Sequence, residues 1–198
     1  MTQATPSVDS ATLTRSTALT TAKWSLVDYH QMIAAGILQG RSVELINGEI
    51  VEMAPEGEPH AAISVDAGEY LTQLLGSRAQ VRPAKPITLP HNGSEPEPDL
   101  AIVERRGREY REHHPYPENI FWVIEYSDSS LRKDLDVKTT VYAEAGIAEY
   151  WVVNLQNQTV IVFRNPVNGV YQSEQTVHEG TLSPLAFPNI SVDVSQLL

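Results

Sequence analysis

The stretch at residues 121–130, FWVIEYSDSS, constrains the fold more than any other part of the chain. Phe121, Trp122, Val123, Ile124 and Tyr126 have the bulky and β-branched character of a strand buried on both faces. Such a strand needs a layer packed against each side of its sheet. Glu125 interrupts the apolar run. A carboxylate in that setting is costly unless a cation meets it, so the strand implies a partner supplied from elsewhere in the chain.

The chain has 198 residues, enough for one well-buried domain, and its 41% hydrophobic and 20% charged residues are globular proportions. No apolar run approaches the roughly 18 residues of a membrane span. Cysteine is absent, which excludes disulfides, thiolate metal sites and cysteine nucleophiles and leaves His, Asp and Glu as side-chain ligands. Residues 1–22 are rich in Thr, Ser and Ala without the basic start and apolar core of a secretory signal, and read as a disordered tail before a domain at 23–198. Cytoplasmic residence is the resulting default. A formal charge of −11 and a pI near 4.9 argue against an extensive basic surface for non-specific nucleic-acid binding.

The patterning predicts a short amphipathic helix in WSLVDYHQMIAAG, then a hairpin about Asn47-Gly48, the dipeptide of a two-residue turn. A helix from His60 to about Leu75 should cover a sheet. Pro83 and Pro86 make the following extended segment an edge strand. A short strand from Leu100 to Val103 has Asp99 at its entrance. A helix is expected from Asp134, as its cap, to Gly146, and three meander strands follow in EYWVVN, QTVIVFR and GVYQSEQTV, with LQNQ and NPVN as turns. The apolar C-terminal segment should dock on the body. This order suggests an α+β domain with a mixed sheet.

On the helix from Asp134 to Gly146, Leu135, Val141, Tyr142 and Ala145 gather on one side, and Lys138 falls inside their arc. Either it snorkels to water with its stem packed, or it points at the sheet that holds Glu125. In the second case Asp99, Glu125 and Lys138 converge. Two carboxylates, a backbone carbonyl and water suit Mg²⁺. A lysine beside them could orient or help deprotonate an attacking water and stabilise phosphate charge. Tyr142 and Trp151 read as core.

The segments VELINGEIVEM, EPEPDLAIV and FWVIEYSDSSLRKDLDVKTTVYAEAGIAEYWVVN, in this order and spacing, resemble the Uma family of the PD-(D/E)xK restriction-endonuclease-like superfamily. The resemblance runs from about Trp24 to the C-terminus. It implies a restriction-endonuclease-like core, a central mixed sheet flanked by helices, and a Mg²⁺- or Mn²⁺-dependent endonuclease. Pro98-Asp99 looks like the PD element and Glu125 like the next acid. Where the general signature has lysine two residues on, this chain has Ser127, and Lys138 matches the displaced lysine of the family. The resemblance further implies metal ligation by Asp99, Glu125 and the Tyr126 carbonyl. It makes Glu44 a catalytic residue, as an extra metal ligand or by orienting a metal-bound water, His60 a phosphate or proton-transfer contact, and Ser127 a residue at the substrate or supporting the site. Arg132 and Lys133 are phosphate contacts or ordinary surface charges.

Nucleic acid, DNA foremost, is the expected partner, and a homodimer is compatible with the sequence. The patch ERRGREYR, with Arg105, Arg106, Arg108 and Arg111, is either a local nucleic-acid contact or a solvated loop balanced by its glutamates. Two other functions compete with the endonuclease. One is a catalytically inactive nuclease-fold module for interaction or regulation, which the acidic pI favours. The other is hydrolysis of a different substrate by paired carboxylates, which leaves Lys138 without a role.

Overall fold

The computed structural model of the chain describes residues 21–127 and 131–198, and of 131–136 the backbone alone. The expected tail at 1–22 lies, but for its last two residues, outside the described residues. After Ser25, which caps it in a reciprocal capping box with Asp28, α1 (Leu26–Ala34) packs Tyr29 inward. The chain then forms β1 (Val43–Ile46) and β2 (Glu49–Glu52), an antiparallel hairpin. Asn47 and Gly48 turn it with φ of 49° and 74°, the left-handed pair that a two-residue turn requires. Next come α2 (Glu58–Leu75), β3 (Gln80–Pro83), β4 (Leu100–Val103) and β5 (Ile120–Ser127). They are followed by α3 (Leu131–Glu144), β6 (Glu149–Asn154), β7 (Thr159–Val167) and β8 (Val170–Val177).

Strands β3 to β8 make one six-stranded sheet in chain order. Every neighbouring pair is antiparallel except β5 and β6, which run parallel because α3 carries the chain across between them. The sheet is therefore mixed and flanked by helices, as the α+β reading requires. On one face Trp122, Ile124 and Tyr126 of β5 pack with Leu71 and Leu75 of α2 and with Leu182, Val192 and Leu197 of the C-terminal segment. On the other, Val123 and Val152 pack with Val141 and Tyr142 of α3. Both faces of β5 are thus covered, which is the physical reason its sequence is apolar at nearly every position.

The third helix begins at Leu131, so Asp134 lies inside its first turn and does not cap it. The turn placed in NPVN shrinks to Asn168-Gly169, because β7 and β8 keep pairing through Val167 and Val170 and both turn residues take positive φ. Pro166 is tolerated there because it stands near the strand's end. The C-terminal segment does dock on the body, partly through a small antiparallel pair, β9 (Thr181–Leu182) and β10 (Val192–Asp193). No described helix is long and apolar enough to cross a membrane.

Candidate functional site

The antiparallel register sets Leu100 of β4 opposite Ile124 of β5. Asp99, one residue before β4, consequently comes level with Glu125. The amide of Tyr126 donates to Asp99 Oδ2 at 2.6 Å, which fixes the carboxylate against the neighbouring strand. Side chains alternate along β5, so Glu125 shares the face of Val123, toward α3. There α3 presents Lys138 and Tyr142, one helical turn apart. Lys138 Nζ donates to Glu125 Oε1 at 2.9 Å, and the Tyr142 hydroxyl donates to the same oxygen at 2.7 Å. Neither bond uses Oε2. Glu125 is 5% exposed, so this cation and this hydroxyl answer the cost its sequence posed.

Glu44 arrives from outside the main sheet. The β1–β2 hairpin is tethered by paired backbone bonds between Leu45 and Glu95, on the segment that leads into β4. That places Glu44 Oε2 at 3.8 Å from Lys138 Nζ and within reach of the Glu97 amide, which donates to it at 3.3 Å. Glu44 is itself buried. Lys138 thus stands among Glu125, Glu44 and Asp99. Burial alone would lower its pKa, but the three carboxylates, Glu125 first, outweigh that and hold the ammonium above its usual range. Glu125 faces the same imbalance from the other side. Burial pushes it up to about 7, Lys138 pulls it down less strongly, and Asp99 and Glu44 add to the rise.

Glu97 is a residue the sequence reading passed over. Burial raises its carboxyl, and Lys85, Glu44, Glu95 and Lys138 all act on it. Its signal in the sequence is the period-two spacing of Glu95, Glu97 and Asp99 in an extended, proline-interrupted run. Tyr142 is fully buried, as its core pattern predicts, and also holds Glu125.

The remaining predicted positions divide. His60, in the first turn of α2, sits with Nε2 3.2 Å from Asp99 Oδ1 and its ring 5.8 Å from that of Tyr126. Asp99 raises its pKa, against the opposing effect of burial. Ser127 is fully buried at the end of β5, and its carbonyl accepts from the Leu155 amide. The side chains of Arg132, Lys133 and Asp134 lie outside the described residues. In the arginine patch, Arg105 is tied to the carbonyls of Gly76 and Ala79, and Arg106 is paired with Glu104 and Glu109. Arg108 and Arg111 are exposed. The patch follows β4 whereas Asp99 precedes it, an extended separation of roughly 20 Å.

Among the described residues, one set of three carboxylate or imidazole ligand atoms lies mutually within 4.8 Å, those of Glu56, His60 and Asp99. Asp99 and Glu125 present a pair of carboxylates at the ends of adjacent strands, beside the backbone of Tyr126. That donor set is all oxygen and suits a hard divalent cation.

Residues 26–195 match the family model Uma2, whose description is "Putative restriction endonuclease". Among solved structures, the fold is similar to that of a putative nuclease belonging to DUF820 from Anabaena variabilis ATCC 29413. The TM-score is 0.64 at 17% identity, over 78% of this chain and 88% of that one. At this identity the likeness is one of fold. No curated protein matches the sequence.

Proposed function

The chain belongs to the Uma2 restriction endonuclease family, and from that premise we propose that it is a divalent-metal-dependent nuclease that hydrolyses phosphodiester bonds at Asp99, Glu125 and Lys138. The observation that supports this most is the reach of Lys138 from α3 to Glu125 Oε1, on a strand whose neighbour is preceded directly by Asp99. Asp99, Glu125 through Oε2 and the carbonyl of Tyr126 would hold the Mg²⁺ or Mn²⁺ ion. That ion would supply Lewis-acid activation of water and neutralise phosphate charge.

The chain's own residues have separable parts in this reading. Lys138 keeps its proton, because three carboxylates raise its pKa. As an ammonium it opposes the negative charge that builds on phosphate oxygens. Tyr142 and Lys138 together fix Glu125 through Oε1 and so orient Oε2. The Tyr126 amide fixes Asp99 through Oδ2 in the same way. Glu44 sets the position of the ammonium from the hairpin side.

Nucleic acid, DNA foremost, is the proposed substrate. The net charge of −11 makes strong non-specific binding unfavourable, so affinity would rest on the metal and on local cations. Cleavage of single- and double-stranded DNA and RNA with Mg²⁺ or Mn²⁺ tests the proposal. Activity should vanish in Asp99→Ala and Lys138→Met protein, and unchanged rates in either variant would remove the site assignment. One observation favours a second reading, a non-catalytic interaction module. Glu125 is paired internally with Lys138, and Asp99 accepts from the Tyr126 amide, so each of the two carboxylates has a partner within the fold. Absence of both metal binding and cleavage is the outcome that selects it.

A further inference from the structure

We infer that Glu56, His60 and Asp99 form a second cation subsite, selective for ions of the Mn²⁺, Co²⁺ or Zn²⁺ class over Mg²⁺. The inference shares Asp99 with the nuclease reading but does not depend on cleavage. Glu56 lies in the segment that enters α2, and His60 lies one turn further on, in the helix's first turn. Asp99 reaches the same point from the entrance of β4. Two independent parts of the fold are thus joined there.

The geometry of His60 carries the argument. Its Nε2 is fully buried and has no hydrogen-bond partner, although Asp99 Oδ1 is only 3.2 Å away. The two atoms are close but not aimed at each other. Two ligands that point at a common third atom have this relation. In an octahedral shell with bonds of about 2.1–2.2 Å, adjacent ligand atoms are about 3.0–3.1 Å apart. A buried imidazole nitrogen whose one close partner is a misaligned carboxylate is poorly satisfied by the fold alone. Glu56 is exposed, which leaves that side open for an ion to enter and for water to complete the shell.

The donor set determines the class of ion. Mg²⁺ prefers an all-oxygen shell, whereas imidazole suits later divalent ions, and one nitrogen with two carboxylates suits Mn²⁺. The positive end of α2 opposes any cation here, and the two carboxylates offset it.

The test uses the full chain freed of metal and titrated with Mn²⁺, followed by electron spin-echo modulation, which detects ¹⁴N of a directly bound imidazole. Wild type should show ¹⁴N coupling, and His60→Gln should lose it together with at least about tenfold in Mn²⁺ affinity. Mg²⁺ affinity should change much less. Glu56→Gln, altered at an exposed position and so without risk to folding, should also weaken Mn²⁺ binding. Glu125→Gln should abolish cleavage and retain the ¹⁴N signal, which separates failure of the nuclease reading from failure of this one. Absence of ¹⁴N coupling in wild type, or its persistence in His60→Gln, overturns the subsite, as does equal loss of Mg²⁺ and Mn²⁺ affinity.

Discussion

Replacing Lys138 by Met removes the ammonium that lies 2.9 Å from Glu125 Oε1 and keeps most of the buried stem. The expected cost depends on pH, and its sign follows from linkage. In the wild type Glu125 is raised by burial to about 7 from an ordinary 4.5. The folded state therefore binds a proton more readily than the unfolded state, and stability from this group falls as pH rises from 4.5 to 7, then levels off. Without Lys138 the carboxyl moves further up, so the fall continues above pH 7. Each additional pH unit over which folded Glu125 stays protonated costs about 1.4 kcal/mol. The variant should be less stable than wild type above pH 7, where Glu125 is ionised in the wild type. The difference should be about 1.4 kcal/mol larger at pH 8 than at pH 6. At high pH the total should approach the roughly 3–5 kcal/mol of a broken buried ion pair. Urea unfolding followed by tryptophan fluorescence measures this, because Trp122 and Trp151 are fully buried. A stability difference that is flat between pH 6 and 8, or larger on the acid side, would refute the claim that Lys138 governs the ionisation of Glu125.

Tyr142→Phe removes the second donor to Glu125 Oε1, and the loss of a hydrogen bond to a charged acceptor should cost about 1.5–3 kcal/mol at pH 8. Mn²⁺ affinity should fall with it, and calorimetry that finds affinity unchanged argues against Tyr142 as a positioning residue. Glu149→Gln breaks a buried pair with Arg164 and should cost on the order of 3 kcal/mol in urea unfolding, while cleavage at a temperature where the variant stays folded remains at the wild-type rate. Gly48→Ala places a Cβ 3.0 Å from the Lys23 Cβ and 3.1 Å from the Trp24 carbonyl oxygen in a residue with φ of 74°, so thermal unfolding should show a loss of more than about 1 kcal/mol. A neutral result there would mean that the hairpin and the chain before α1 shift freely.

What the sequence reveals of this protein depends on whether a property is local. The Asn47-Gly48 turn, the edge character of β3 and the two-sided burial of β5 each follow from residues close together in the chain, and each is found where the pattern puts it. The start of α3 is not local in this sense. Asp134 is a good cap by type, but the helix already runs from Leu131 and gives that residue an interior position. The second role of Tyr142 is hidden for a similar reason: periodicity shows that it faces the sheet, while the register of β5 decides that its hydroxyl meets Glu125.

Glu149 sharpens the point, because EYWVVN contains a buried carboxylate at a strand's beginning much as FWVIEYS contains one near a strand's end. By sequence the two are comparable. The pairing of β6 with β7 sets Arg164 directly opposite Glu149, and its carboxylate accepts from Arg164 and Trp151 through Oε1 and from the Leu185 amide through Oε2. Both oxygens are committed to the fold. In Glu125, Lys138 and Tyr142 converge on one oxygen and leave the other outside both bonds. A buried acid in a strand is therefore not itself the mark of a reactive site. The distinction lies in how its oxygens are shared between the fold and a ligand, and that division is made by strand register and helix placement.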